Sequence, residues 1–285
     1  MPSDTADHWR RYTADELQAQ YSARAAVPQH PEIFARWRAA SADYRDAAVA
    51  AGRARLGLAY GDDAAERIDL FLPQTPRSTP PPLHVFLHGG YWQAMARADF
   101  SFVAAGPNAA GAACAVLGYP LCPAVTLDEL VAAVRRGYAW LCARADDHGV
   151  DARAPSVSGH SAGGHLAALL VRAYADGGAP VGRVHAVSGL FELEPLVHTA
   201  LNDALGLDVA AARRLSPLLA PPVADVPLTA WVGGDESAEF HRQATAMADH
   251  WRRGGATAEV HTVPGRNHFT VLDALYAPGG ALMRA

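Results

Sequence analysis

The chain has 285 residues, half of them apolar and 19% charged, an ordinary globular composition that excludes a disordered or fibrous protein. Its 24 basic residues face 29 acids for a net charge of −5, leaving no cationic surplus for a nucleic-acid backbone or an acidic membrane surface. Every basic residue is arginine, so lysine-based Schiff-base chemistry is also excluded.

At the N-terminus, Asp4, Asp7, Arg10 and Arg11 leave no apolar run for a signal peptide. Residues 15–51 read as helical patches broken by Pro28 and Pro31. The expectation is an N-terminal helical segment, residues 1–52, packed on a main domain of residues 53–285, a single domain overall. Residues 66–72 alternate like a half-buried strand, and the proline-rich stretch 76–82 is a loop. Residues 83–87 form a short apolar strand that runs into Gly89 and Gly90; a helix over 97–110 and a buried strand over 113–117 follow. The uncharged stretch 100–127 has the length of a membrane span. Gly106, Pro107, Pro120 and Pro123 cut it into short pieces, so a buried helix and strand fit it better, and the protein is expected to be soluble. Thr126 and Glu129 have capping-box spacing and open a helix to about residue 147.

The pattern then repeats. Strands are predicted at 156–158, 183–187, 228–232 and 257–263, with helices at 162–174, 239–253 and 269–276. Strands separated by helices of this length imply βαβ crossovers. The fold class is α/β, a mostly parallel central sheet with helices on both faces. The three cysteines, Cys114, Cys122 and Cys142, lack CxxC spacing, so no disulfide framework is expected and a reducing cytoplasm is the expected location.

Three motifs fall at strand ends. Gly159-His160-Ser161-Ala162-Gly163, between a strand and a helix, has the pattern of a nucleophile elbow, which lifts Ser161 Oγ above the sheet edge. The following helix N-terminus offers unpaired N–H groups where an oxyanion would form. His88-Gly89-Gly90-Tyr91-Trp92 follows its own strand, and its glycines let backbone N–H groups complete an oxyanion hole with the N–H of Ala162. His88 is expected to brace that loop, and Tyr91 and Trp92 to line a pocket for a flat ring. Asp235 or Glu236, and then His268, each follow a late strand, giving the order serine, acid, histidine of α/β-hydrolases. Spacing alone does not separate the two acids. A metal site from His88, His160 and His165 lacks any HExxH pattern and is not expected.

HGGYW with Gly159-His160-Ser161-Ala162-Gly163-Gly164-His165-Leu166 resembles the arylformamidase family, the kynurenine formamidase branch of the α/β-hydrolases. The likeness extends to Tyr21 with Arg24, Tyr119-Pro120-Leu121, Ser188-Gly189-Leu190, Glu239-Phe240-His241-Arg242-Gln243 and Asn267-His268-Phe269. The resemblance implies a catalytic Ser161, His268 and Glu236, with Asp235 in reserve, because the eukaryotic pattern has aspartate where Glu236 stands. It also implies hydrolysis of an N-formyl arylamine such as N-formyl-L-kynurenine, a step of tryptophan metabolism, with no cofactor. A carboxylesterase for short acyl aryl esters would use the same groups, and a non-catalytic binding protein on this fold is the alternative of another class. The expected partner is a small aromatic formamide or ester, with no nucleic acid and no membrane; the oligomeric state, a homodimer included, is open.

Overall fold

The computed structural model describes residues 8–75 and 78–284; the N-terminal acidic residues and two positions of the proline loop, Pro76 and Arg77, lie outside the described residues. Eight strands form one sheet: β1 (Ala54–Ala59), β2 (Arg67–Phe71), β3 (Pro82–Leu87), β4 (Ala113–Leu117), β5 (Asp151–His160), β6 (Arg183–Val187), β7 (Leu228–Gly233) and β8 (Ala258–Val263). Their order is β1-β2-β4-β3-β5-β6-β7-β8. The β1–β2 and β2–β4 pairings are antiparallel and every later pairing is parallel.

The helices are α1 (Ala14–Tyr21), α2 (Ala23–Ala26), α3 (His30–Ala50), α4 (Ala105–Ala109), α5 (Leu127–Ala143), α6 (Ala162–Ala175), α7 (Asn202–Leu205), α8 (Val209–Arg214), α9 (Ala238–Arg253) and α10 (Thr270–Tyr276). Strand side chains alternate between two apolar layers. Val85, Leu87, Ala115 and Leu117 enter a core shared with α5, α6 and α9, while Phe86, Cys114 and Val116 enter a second core with α3 and α10. Both faces are therefore covered, which is why these strands read as continuous apolar runs rather than as alternating ones. Helix α5 starts on the predicted capping box: Thr126 Oγ1 accepts from Glu129 N–H at 3.3 Å and Thr126 N–H donates to Glu129 Oε2 at 2.8 Å. None of the described helices is long and apolar enough to cross a membrane.

The structure differs from the sequence reading in five places: helix α5 ends at Ala143 rather than near residue 147, and four further differences follow. Strand β1 was not foreseen; Gly57 at φ +67° and a register shift between Arg55 and Leu58 break its alternation. Residues Arg97–Ala104 form a 3-10 helix that continues into the short α4, rather than one α-helix over 97–110. Strand β5 runs the full length Asp151–His160, well beyond 156–158, because its first residues lie at the exposed rim and carry no apolar signal. Helices α7 and α8 occupy the β6–β7 connection, where single helical turns are too short to show a period.

The cores also hold neutral histidines. Burial lowers His84 to about 3 and His88, His165 and His185 to about 4, from an ordinary value of 6.5. Below pH 6.5 the unfolded chain binds protons at these sites that the folded chain refuses until about pH 4, so stability falls as pH is lowered. The melting temperature, followed by circular dichroism, is expected to be flat above neutrality and to drop steadily from about pH 6.5 towards pH 4. A constant melting temperature down to pH 4.5 would contradict this assignment.

Candidate active site

Ser161 stands between the end of β5 and the start of α6, with φ 54° and ψ −118°. This backbone is strained for a residue with a Cβ, at a typical cost of about 1–3 kcal/mol, and it persists only because its surroundings impose it. A Cβ on Gly159 would lie 2.0 Å from Gly163 O, and one on Gly163 would lie 2.0 Å from Leu87 O. Both positions therefore require glycine, and the motif's spacing reflects how tightly β5, β3 and α6 cross at this point. The Ser161 N–H donates to Val187 O at 2.8 Å, tying the turn to β6. Helix α6 is buried from Ala162 to Val171, and its first N–H groups, Ala162 among them, lack intrahelical partners by helix geometry.

The loop after β3 folds against this turn. A Cβ on Gly89 would lie 3.3 Å from Ser161 Cβ and 2.9 Å from His160 Nδ1, so the Gly89 backbone runs directly beside the serine. Gly90 has φ +117°, and a Cβ there would strike Ala94 O at 2.1 Å. His88 is neutral, because burial lowers it to about 4. Its Nδ1–H donates to Gly89 O at 2.8 Å, since a carbonyl only accepts, and its ring stacks on Tyr119 at 4.2 Å. Tyr119 donates its hydroxyl to His88 O at 2.6 Å. The loop is thus braced from its own histidine, as the sequence reading expected.

The two late loops meet at His268. Glu236 Oε2 accepts from His268 Nδ1–H at 2.6 Å, while its Oε1 accepts from Gly233 N–H and from Ser188 Oγ–H, each at 2.6 Å. Its carboxyl side chain is wholly buried. Asp235 is exposed, and its backbone N–H donates to Arg266 O at 3.0 Å. Glu236 and not Asp235 is therefore the acid bonded to His268.

Two residues in this constellation were given no role from the sequence. Ser188, at φ 51° after β6, is a donor to Glu236, and its position next to Gly189 is the only local hint of a special turn. His160 donates Nε2–H to His268 O at 2.7 Å, and its buried Nδ1 has no hydrogen-bond partner among the described residues. Burial and the neighbouring His268 hold His160 well below the ordinary histidine range, so it too is neutral. His88, His160 and His165 donate to the carbonyls of Gly89, His268 and Leu215 respectively.

Ser161, His268, His160, Gly90 and Tyr91 line one small cavity of about 30 Å³. Tyr91, whose hydroxyl donates to Tyr21 O at 2.5 Å, also lines an open cleft of about 430 Å³ alongside. The expectation that Trp92 helps form the substrate slot is corrected. Its indole is fully buried and packs edge-on against His165 at 5.1 Å, because φ +60° turns it down into the α5–α6 core rather than up towards Ser161.

The family model described as BD-FAE matches residues 68–177, a span that includes both the Gly89–Gly90 loop and the elbow. The kynurenine formamidase of Danio rerio is 26% identical over 277 residues, covering 94% of this chain and 93% of that protein. That of Drosophila melanogaster is 29% identical over 231 residues, covering 76% and 75%. A crystal structure from Silicibacter sp. TM1040, assigned provisionally to the thioesterases, superposes with a TM-score of 0.82 at 32% identity, covering 94% of this chain and 98% of that one. With the strand order, the elbow and relatives that match it nearly end to end, the chain belongs to the arylformamidase family of α/β-hydrolases.

Proposed function

We propose that this protein is a serine hydrolase that cleaves the formyl amide of an N-formyl arylamine, N-formyl-L-kynurenine-like, to formate and the free amine. The observation that carries this reading is that Ser161 and His268 line one small cavity, about 30 Å³, beside an open cleft of about 430 Å³, an arrangement that supports a small acyl group at the serine and a larger group in the cleft. The kynurenine formamidases among its relatives support it, and the coarser assignment, a hydrolase of the formamide or ester type, rests on those relatives as a group.

In this mechanism Ser161 Oγ attacks the formyl carbon while His268 Nε2 removes the hydroxyl proton, and Glu236 holds His268 in the tautomer with its proton on Nδ1. The oxyanion is received by N–H groups of Ala162 and the Gly89–Gly90 loop. The imidazolium then protonates the departing aryl nitrogen, the C–N bond breaks, and a formyl ester remains on Ser161. Water, deprotonated by the same histidine, attacks that ester and releases formate with the serine restored. No cofactor enters the cycle.

Hydrolysis of a series from formanilide to butyranilide tests the acyl side. Each added methylene must be forced into the small cavity, so kcat/KM is expected to fall by about 10²-fold or more from formyl to butyryl. A short-acyl esterase is the second reading, favoured by the thioesterase assignment of the Silicibacter structure. Equal turnover of butyryl and formyl compounds, with aryl esters preferred over anilides, would select it.

A further inference from the structure

We infer that Arg24 is a specificity-determining residue that binds a carboxylate on the leaving-group side of the substrate. This rests on the hydrolase reading above and extends it to the chemistry of the substrate's far end. Among the residues lining the Ser161 cavity and the adjoining cleft, Arg24 is the one that carries a permanent charge, and it lines both spaces. Among the described residues no carboxylate lines either of them, so none of these competes for the guanidinium. Arginines elsewhere, such as Arg97, Arg136, Arg213 and Arg242, are paired with acids of this chain. Among the described residues Arg24 has no such pair, and its guanidinium lies over the Phe34 ring at 5.8 Å.

The residues just before Arg24 are held on a fixed platform. Tyr21 is buried; its hydroxyl donates to Glu239 Oε2 at 2.7 Å and accepts from Gln243 Nε2 at 2.9 Å. The Tyr21 carbonyl accepts from Tyr91, and the Gln20 carbonyl accepts from Ser237 Oγ at 2.6 Å. Glu239 is in turn clamped by Arg242, which also pairs with Glu192. A buried polar network therefore ties α1 to α9 and sets the start of α2 at the cavity mouth. An exposed guanidinium at this mouth, over the Phe34 ring and with no acid of the described residues paired to it, can meet a carboxylate in two-point geometry. A neutral substrate gains nothing from it. Since Ser161 takes the acyl group in the enclosed part, the anion belongs to the amine or alcohol portion that extends into the cleft.

The test uses matched substrate pairs. Formanilides with a carboxylate on the ring, or on arms of one to three carbons, are compared with the corresponding carboxamides, and aryl acetates are paired in the same way. For at least one arm length the wild-type protein is expected to prefer the anion about ten- to a hundredfold in kcat/KM, mainly through KM. Because the site is exposed, the preference should shrink as ionic strength rises. Arg24→Gln should bring the anion-to-carboxamide ratio close to one, and Arg24→Lys should keep part of it. No preference at any arm length, or a preference that survives Arg24→Gln, overturns the assignment. Should the acetates be cleaved and the formanilides not, the formamidase reading fails, while the acetate pairs still decide the role of Arg24.

Discussion

Ser161→Ala is expected to lower kcat by roughly 10³-fold or more while leaving the fold intact. The elbow is held by the close contacts of Gly159 and Gly163 and by the Ser161 N–H bond to Val187 O, none of which involves the hydroxyl. Alanine keeps the Cβ and meets the same backbone strain at φ 54°, so the loss would fall on the proposed nucleophile alone. Residual turnover would come from the oxyanion donors and from binding. Steady-state kinetics with a far-ultraviolet circular dichroism spectrum and a melting curve are the check. A variant that keeps more than about a tenth of wild-type turnover would place the nucleophile elsewhere. Covalent labelling of the wild-type protein by a fluorophosphonate is the companion experiment: a chain that resists labelling at Ser161 would be a binding protein on a hydrolase fold.

The second large effect is expected from Glu236→Gln, and its direction follows from counting donors. The Glu236 carboxylate accepts from three N–H or O–H groups, on Gly233, Ser188 and His268. A glutamine offers one oxygen and one NH₂. The Gly233 N–H can only donate, so the amide oxygen must stay on that side and the NH₂ must face His268 Nδ1. That nitrogen then has to accept, which moves the imidazole proton to Nε2 and removes the lone pair that would take the serine proton. The expected loss in kcat is about 10²- to 10⁴-fold, with the fold retained because the shape is unchanged. Asp235→Asn alters an exposed side chain whose backbone bond to Arg266 is untouched, so less than about a threefold change is expected. The reverse ranking of the two variants would overturn the role given to Glu236.

Much of the architecture was legible in the chain itself. Seven of the eight strands were located in the sequence: alternation marked β2, and continuous apolar runs marked strands such as β3 and β4, which are buried on both faces. The capping box at Thr126 and Glu129 and the glycines of the elbow were readable because each encodes a local constraint: a side chain closing on the backbone a turn away, or a close approach that admits no Cβ. Strand β1 and the helices between β6 and β7 were not, since a bulged edge strand and single helical turns take their shape from what they pack against.

The sequence by itself determined the α/β class, the strand-end placement of Ser161, His268 and the glycine loop, and the order in which serine, acid and histidine occur. These depend on backbone sterics and burial, which act over a few residues. Only the tertiary structure decided where neighbouring side chains point. Asp235 and Glu236 are adjacent and chemically alike, yet Ser188 and Gly233 N–H, brought in from β6 and the end of β7, draw Glu236 inward and leave Asp235 in solvent. Tyr91 and Trp92 are equally adjacent, and consecutive left-handed backbone turns send one ring to the cavity and the other into the core. Such choices are made by partners far apart in the chain, and they exist only once the sheet has brought those partners together.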